Sequence, residues 1–128
     1  MGQRLTPTRA TVEACVRGYL DALNAHDADR VVSWVSREFV NEHTAKGAVS
    51  RRGRAEYRAA LDGFLAEFAD LHYAVEQLVV DGANCAVPYR MTAVLKGRPL
   101  DIRGVFVFVV DGAGLIAKRT DYWDSGNV

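Results

Sequence analysis

At 128 residues, 49% hydrophobic and 25% charged, the chain is sized for one domain built on a single core. Sixteen basic residues balance sixteen acidic ones, so no protein-wide positive field exists to gather nucleic acid or an anionic membrane surface. The longest apolar run, Val105 to Val110, is far short of the ~20 residues of a membrane helix, and no signal-type apolar segment opens the chain, so a cytoplasmic location is expected.

Thr6 followed by Pro7 reads as a helix entry, because Thr can cap and Pro at the first helical position loses no needed N–H. The helix carries Val12, Val16, Tyr19, Leu20 and Leu23 at helical spacing and ends near Asn24–His26. Asp27 caps a short second helix with Val31, Trp34 and Val35 on one face, and Phe39 to His43 reads as extended. Lys46 to Arg54, with two glycines and three arginines, is a loop. A third helix runs from about Arg54 to Phe68 on the stripe Tyr57, Leu61, Phe64, Leu65 and Phe68.

From Leu71 the pattern turns to strands: Leu71–Val80, Cys85–Leu95, Leu100–Val110 and Leu115–Trp123. Their short connections hold the Gly, Asp, Asn and Pro of hairpin turns, so chain neighbours are expected to pair antiparallel. Residues 1–128 thus read as a single α+β domain, helices covering one face of a curved antiparallel sheet. Ile102, Phe106 and Phe108 share one parity of the third strand while Val105, Val107 and Val109 share the other. Helices cover only one face, so a homodimer through the other is expected.

No cofactor or metal is implied. His26, His43 and His72 lack ligand spacing, no glycine-rich phosphate loop is present, and Cys15 and Cys85, 70 positions apart, define neither a zinc site nor a disulfide framework. His43 is the residue best suited to shuttle a proton near neutral pH. It stands beside Glu42 in the extended segment, where alternation turns one of the two inward; His43 is assigned that place. Asp121 alternates with Arg119 and Trp123 on the last strand. Paired with Arg90 it would be an ionised base or orient a water; unpaired among apolar walls it would be a neutral acid; on the outer face it would be a cross-strand ion pair.

The order of these elements, with Tyr19 in helix one, the Asp27 cap, the Phe39–His43 segment and the run Gly114-x-Ile116-x-x-x-x-Asp121-Tyr122-Trp123-Asp124, resembles the SnoaL-like group of the nuclear transport factor 2-like superfamily. Its relatives include ketosteroid isomerases, limonene epoxide hydrolases and polyketide cyclases. The resemblance implies a cystatin-like cone, a sheet wrapped around three helices with an internal apolar pocket. Tyr19 falls where the isomerases keep an oxyanion-binding tyrosine, and His43 where they keep their aspartate base. Their second oxyanion donor aligns with Phe106, which cannot donate. The Asp-Arg-Asp triad of the epoxide hydrolases matches Arg90 and Asp121, with Thr92 in place of the other aspartate.

The resemblance therefore implies four catalytic candidates aimed at one pocket: His43, Asp121, Tyr19 and Arg90. Trp34, Phe106, Phe108, Trp123 and Arg119 are expected to line it. The implied activity is cofactor-independent acid/base chemistry of isomerase or cyclase type on a small apolar polyketide, terpenoid or steroid-like molecule. Epoxide opening and a non-catalytic ligand-binding or dimerisation module are the alternatives.

Overall fold

A computed structural model describes residues 6–124 and 126. Helix α1 spans Arg9–Asn24 and starts two residues later than Thr6–Pro7 suggests, because Thr8 is the extended residue whose side chain accepts from the Thr11 N–H. Helix α2 spans Ala28–Ser33 and is capped by Asp27, which accepts from the Arg30 N–H. Strand β1, Val35–His43, and the two-residue β2, Arg51–Arg52, lead into α3, Arg54–Glu67. The remaining strands are β3 (Phe68–Val75), β4 (Val79–Asp81), β5 (Asn84–Leu95), β6 (Arg98–Val110) and β7 (Ile116–Trp123).

The stretch expected as one strand to Val80 is two, β3 and β4, both paired with β5. Pro88 sits in β5 where the ladder breaks: lacking an N–H, it can only accept, and does so from Glu76. Pairing then resumes between Val79 and Ala86. The sheet runs β2-β1-β7-β6-β5-β3, and every pair is antiparallel except one. β1 and β7 lie parallel, which corrects the expectation of an all-antiparallel sheet. Hairpin chemistry governs only chain neighbours, and β1 meets β7 after the chain has crossed to the far edge and meandered back.

The fold is α+β: three helices on the inner side of a curved, open, mixed sheet. Register shifts within the β1–β7, β3–β5 and β6–β7 pairings mark where the strands bend around the helices. The core joins Val12, Val16, Leu20 and Leu23 of α1 to Val31, Phe39, Val87, Phe106, Phe108 and Ile116, each contributing about 1.5–3 kcal/mol through burial. On the outer face Val105, Val107 and Val109 are half-buried and Tyr122 is 49% exposed.

Two glycines are required by close approach. At Gly18 the Trp34 indole lies against the helix where a Cβ would stand 2.2 Å from the ring. At Gly104 a Cβ would meet the Tyr89 hydroxyl at 2.3 Å and the Tyr122 carbonyl at 2.8 Å. The Tyr89 ring therefore crosses β6 only because residue 104 has no side chain. Gly104→Ala is expected to destabilise the fold by about 1–3 kcal/mol through overpacking, read as a lower urea midpoint with the slope unchanged.

Candidate functional site

The parallel pairing builds the site. Along β1 and β7 it sets Asn41 opposite Arg119 and His43 opposite Asp121, and alternation turns all four inward together with Trp123. Glu42 takes the outer side, accepting from Thr120 and facing Lys118 at 3.6 Å. From the helices come Tyr19 of α1 and Tyr57 of α3; β5 adds Tyr89.

Arg119, 5% exposed, organises one half. Its Nη1 donates to the Tyr19 hydroxyl and its Nη2 to Asn41 Oδ1, both at 2.6 Å, while the guanidinium lies 4.7 Å from the Phe106 ring centroid. Tyr19 and Tyr57 share a hydrogen bond of 2.5 Å. In the other half, Tyr89 donates to Asp121 Oδ1 at 2.6 Å and His43 Nδ1 faces Asp121 Oδ2 at 3.5 Å.

These contacts assign the protons. Arginine only donates, so the Asn41 oxygen faces Arg119 and its nitrogen faces His43 Nε2, at 3.5 Å. An amide nitrogen also only donates, which makes Nε2 the lone-pair nitrogen and puts the imidazole proton on Nδ1, toward Asp121. Tyr19 accepts from Arg119, and in the bond it shares with Tyr57 either hydroxyl can donate; with Tyr19 as the donor, the Tyr57 proton is left for a third partner.

Burial raises Tyr19 well above the ordinary tyrosine range and raises Tyr57 and Tyr89 as well, Tyr89 further because Asp121 stands beside it. All three are neutral donors at physiological pH. Burial works against the Arg119 charge, yet the facing Tyr19 and Tyr57 oxygens and Asp121 outweigh it, and the group is held above its ordinary value. The cysteines take no part: burial pushes Cys15 up to about 12 and Cys85 up to about 11, far from thiolate reactivity.

A cavity of about 770 Å³ opens beside this network, within the usual range for a small-molecule site. Its polar end is Asn41, His43, Tyr57, Arg119 and Trp123; its apolar wall is Leu61 and Phe64 of α3 with Phe68 of β3, and Lys46 to Val49, Arg51 and Glu67 border it. Among the described residues no group of His, Cys, Asp and Glu is placed to hold a metal, and no helix is long and apolar enough to cross a membrane.

Of the four candidates expected to share a pocket, only His43 forms part of its wall. Tyr19 and Asp121 stand one side chain behind it, touching the lining residues Tyr57, Arg119 and His43. Arg90 is on the opposite face. Tyr89 and Met91 take the inward positions of β5, so Arg90 points outward and forms an exposed pair with Asp101, Nε to Oδ1 at 2.7 Å; the expected Arg90–Asp121 pair does not exist. Arg119 and Trp123 line the cavity as expected. Phe106 and Phe108 are fully buried in core packing and Trp34 lies over Gly18, so none of the three reaches the cavity. Tyr57, Asn41 and Tyr89 escape sequence reasoning: Tyr57 and Tyr89 pass for core aromatics, and Asn41 is signalled only by standing two residues before His43.

Tyr89→Phe, which leaves Asp121 Oδ1 without a donor, is expected to cost about 1.5–3 kcal/mol, the scale of a hydrogen bond to a charged group. Arg90→Ala, at the exposed pair, is expected to leave the denaturation midpoint where it was. Urea unfolding of the two variants side by side makes the comparison.

A SnoaL-like domain model matches residues 16–119. Among curated proteins, none matches the chain in sequence. Solved structures share the fold: an LEH-like epoxide hydrolase of Mycobacterium tuberculosis superposes with TM-score 0.83 at 21% identity, covering 94% of this chain and 88% of its own. SalBIII, an epoxide hydrolase/cyclase-like enzyme in pyran ring formation in the polyether salinomycin, superposes with TM-score 0.80 at 21% identity over 92% and 94%. A Catenulispora acidiphila protein with a ketosteroid isomerase-like fold, in complex with trimethylamine, superposes with TM-score 0.81 at 16% identity over 89% and 88%. With the family model covering most of its length, the chain belongs to the SnoaL-like domain family.

Proposed function

We propose that the chain is a cofactor-independent acid/base enzyme of isomerase or cyclase type, acting on a small, largely apolar polyketide, terpenoid or steroid-like molecule. The observation that carries this reading is His43, whose Nδ1 is turned to Asp121 while its lone-pair Nε2 faces Asn41 in the cavity wall, beside a tyrosine with a proton to give.

In this mechanism the substrate displaces the 3.5 Å Asn41 contact from Nε2, Nε2 removes a proton from a carbon next to a carbonyl, and Asp121 stabilises the imidazolium that forms. The charge moves to the carbonyl oxygen, where Tyr57 donates. Its hydroxyl is polarised through Tyr19 by Arg119, a preformed donor chain away from bulk water. His43 then returns the proton to another carbon, or the enolate carbon attacks a second carbonyl carbon of the molecule, whose C=O π bond breaks to an alkoxide that takes the His43 proton as the ring closes. The donor that touches substrate is Tyr57, with Tyr19 as its positioning residue.

Epoxide opening is the second reading. In its favour, Arg119 and Asp121 stand two apart on the inner side of β7, where the His43–Asp121 pair orients a water and Tyr57 protonates the leaving oxygen. Arg90 has no part in it.

The test is solvent deuterium incorporation into trans-2-decalone and 3-cyclohexenone, followed by NMR, with limonene oxide hydrolysis assayed alongside. Exchange above the buffer rate is expected, falling by about 10²–10⁴ in His43→Ala and about 10²–10³ in Tyr57→Phe. Exchange that survives His43→Ala, or no turnover of any of the three, overturns the reading and leaves a binding module.

We also propose that a second copy covers the outer valines of β6, giving a homodimer in the cytoplasm. Light scattering at micromolar concentration is expected to return twice the 14.1 kDa chain mass; a monomer excludes this assembly.

A further inference from the structure

Arg119 has an electrostatic position that the proposed proton transfer does not use. It is a cation at the inner end of the cavity, and its direct partners are neutral: the Tyr19 hydroxyl and the Asn41 amide oxygen. Among the described residues no carboxylate lies within ion-pair distance of it. Asp121 acts on it only through space, with its oxygens turned to Tyr89 and His43. A guanidinium carries five N–H donors, and the structure spends two. Neutral oxygens and a distant carboxylate hold the charge in place, and the guanidinium borders the cavity, where an anion can reach its remaining donors.

Resting on the acid/base reading above, we propose that the substrate is an apolar keto acid that enters head first, with its carboxylate on Arg119 and its ketone between Tyr57 and His43. The spacing of the wall supports placing both groups at one end of the molecule. A single side chain, Asn41, bridges Arg119 to His43, so an anion on the guanidinium and a carbon under Nε2 lie a few bonds apart. The apolar remainder fills the side walled by Leu61, Phe64 and Phe68. Lys46, Arg51 and the carboxylate of Glu67 also line the cavity, so the selection itself is assigned to the buried guanidinium.

The distinction between buried and peripheral charge sets the experiment, because salt screens exposed charges far more than buried ones. Calorimetric titration compares 4-cyclohexylbutyrate with its methyl ester and its primary alcohol, at neutral pH and at low and high sodium chloride. The carboxylate is expected to bind about tenfold to a hundredfold more tightly than the ester, the scale of charge-assisted hydrogen bonds. That preference is expected to persist in high salt, to persist in Arg51→Gln, and to vanish in Arg119→Met. Equal binding of acid and ester, a preference that salt or Arg51→Gln abolishes, or no binding of any of the three, overturns the proposal. Should Arg119→Met fail to fold, the salt and Arg51→Gln arms on folded protein still decide it. The deuterium assay separates the two readings: ketone exchange without carboxylate preference removes only the head-group assignment, and carboxylate preference without exchange removes the acid/base reading.

Discussion

Arg119 is the constraint around which the interior is arranged. A guanidinium at 5% exposure must be surrounded by acceptors and polarisable surface, and each neighbour answers that need. Tyr19 and Asn41 accept from it, and the Phe106 face lies against it. Those neighbours are then committed in turn. Tyr19 accepts from the guanidinium and shares its other hydrogen bond with Tyr57, and Asn41 has its amide orientation set and presents its nitrogen to His43. One buried charge thereby orients Tyr19 and Asn41 directly and His43 through the Asn41 amide.

The second organising feature is topological. Antiparallel hairpins bring together residues near in sequence, but His43 and Asp121 are 78 positions apart and meet because β1 and β7 run parallel in register. A one-residue slip of that pairing would turn Glu42 or Thr120 inward and empty the site of its imidazole or its carboxylate. Gly104 acts on the same pair from the next strand, since its missing side chain lets Tyr89 reach Asp121.

This explains what the sequence disclosed. The helices, the hairpin strands and the inward place of His43 follow from local periodicity, and local periodicity is written in the chain. The parallel contact is not, because no turn residue marks it. Arg90 shows the cost of carrying a role across by alignment alone: a shift of one position on a strand exchanges inside for outside, and Tyr89, its neighbour, holds the inward place and the hydrogen bond to Asp121. Tyr57 was hidden for a different reason. Its spacing with Leu61 and Phe64 is that of an ordinary core stripe, and only the hydrogen bond to Tyr19 separates a donor at the cavity from a packing residue.

The two long helices divide structure and function between them. α1 buries seven residues, from Val12 to Leu23, against the sheet. α3 has the same kind of apolar stripe but buries only Tyr57 and Leu61; Phe64 and Phe68 stack on each other at 4.9 Å and face the cavity, half-buried. Apolar surface left at a cavity is stabilisation that folding has not collected, and a ligand collects it on binding. The polar network meanwhile rests on α1 and the sheet, with α3 contributing the single hydroxyl of Tyr57. The wall that meets the apolar body of a ligand is therefore largely separate from the groups that would act on its head, so substitutions along Phe64 and Phe68 alter which skeleton fits while the Arg119 and Asp121 contacts stay in place.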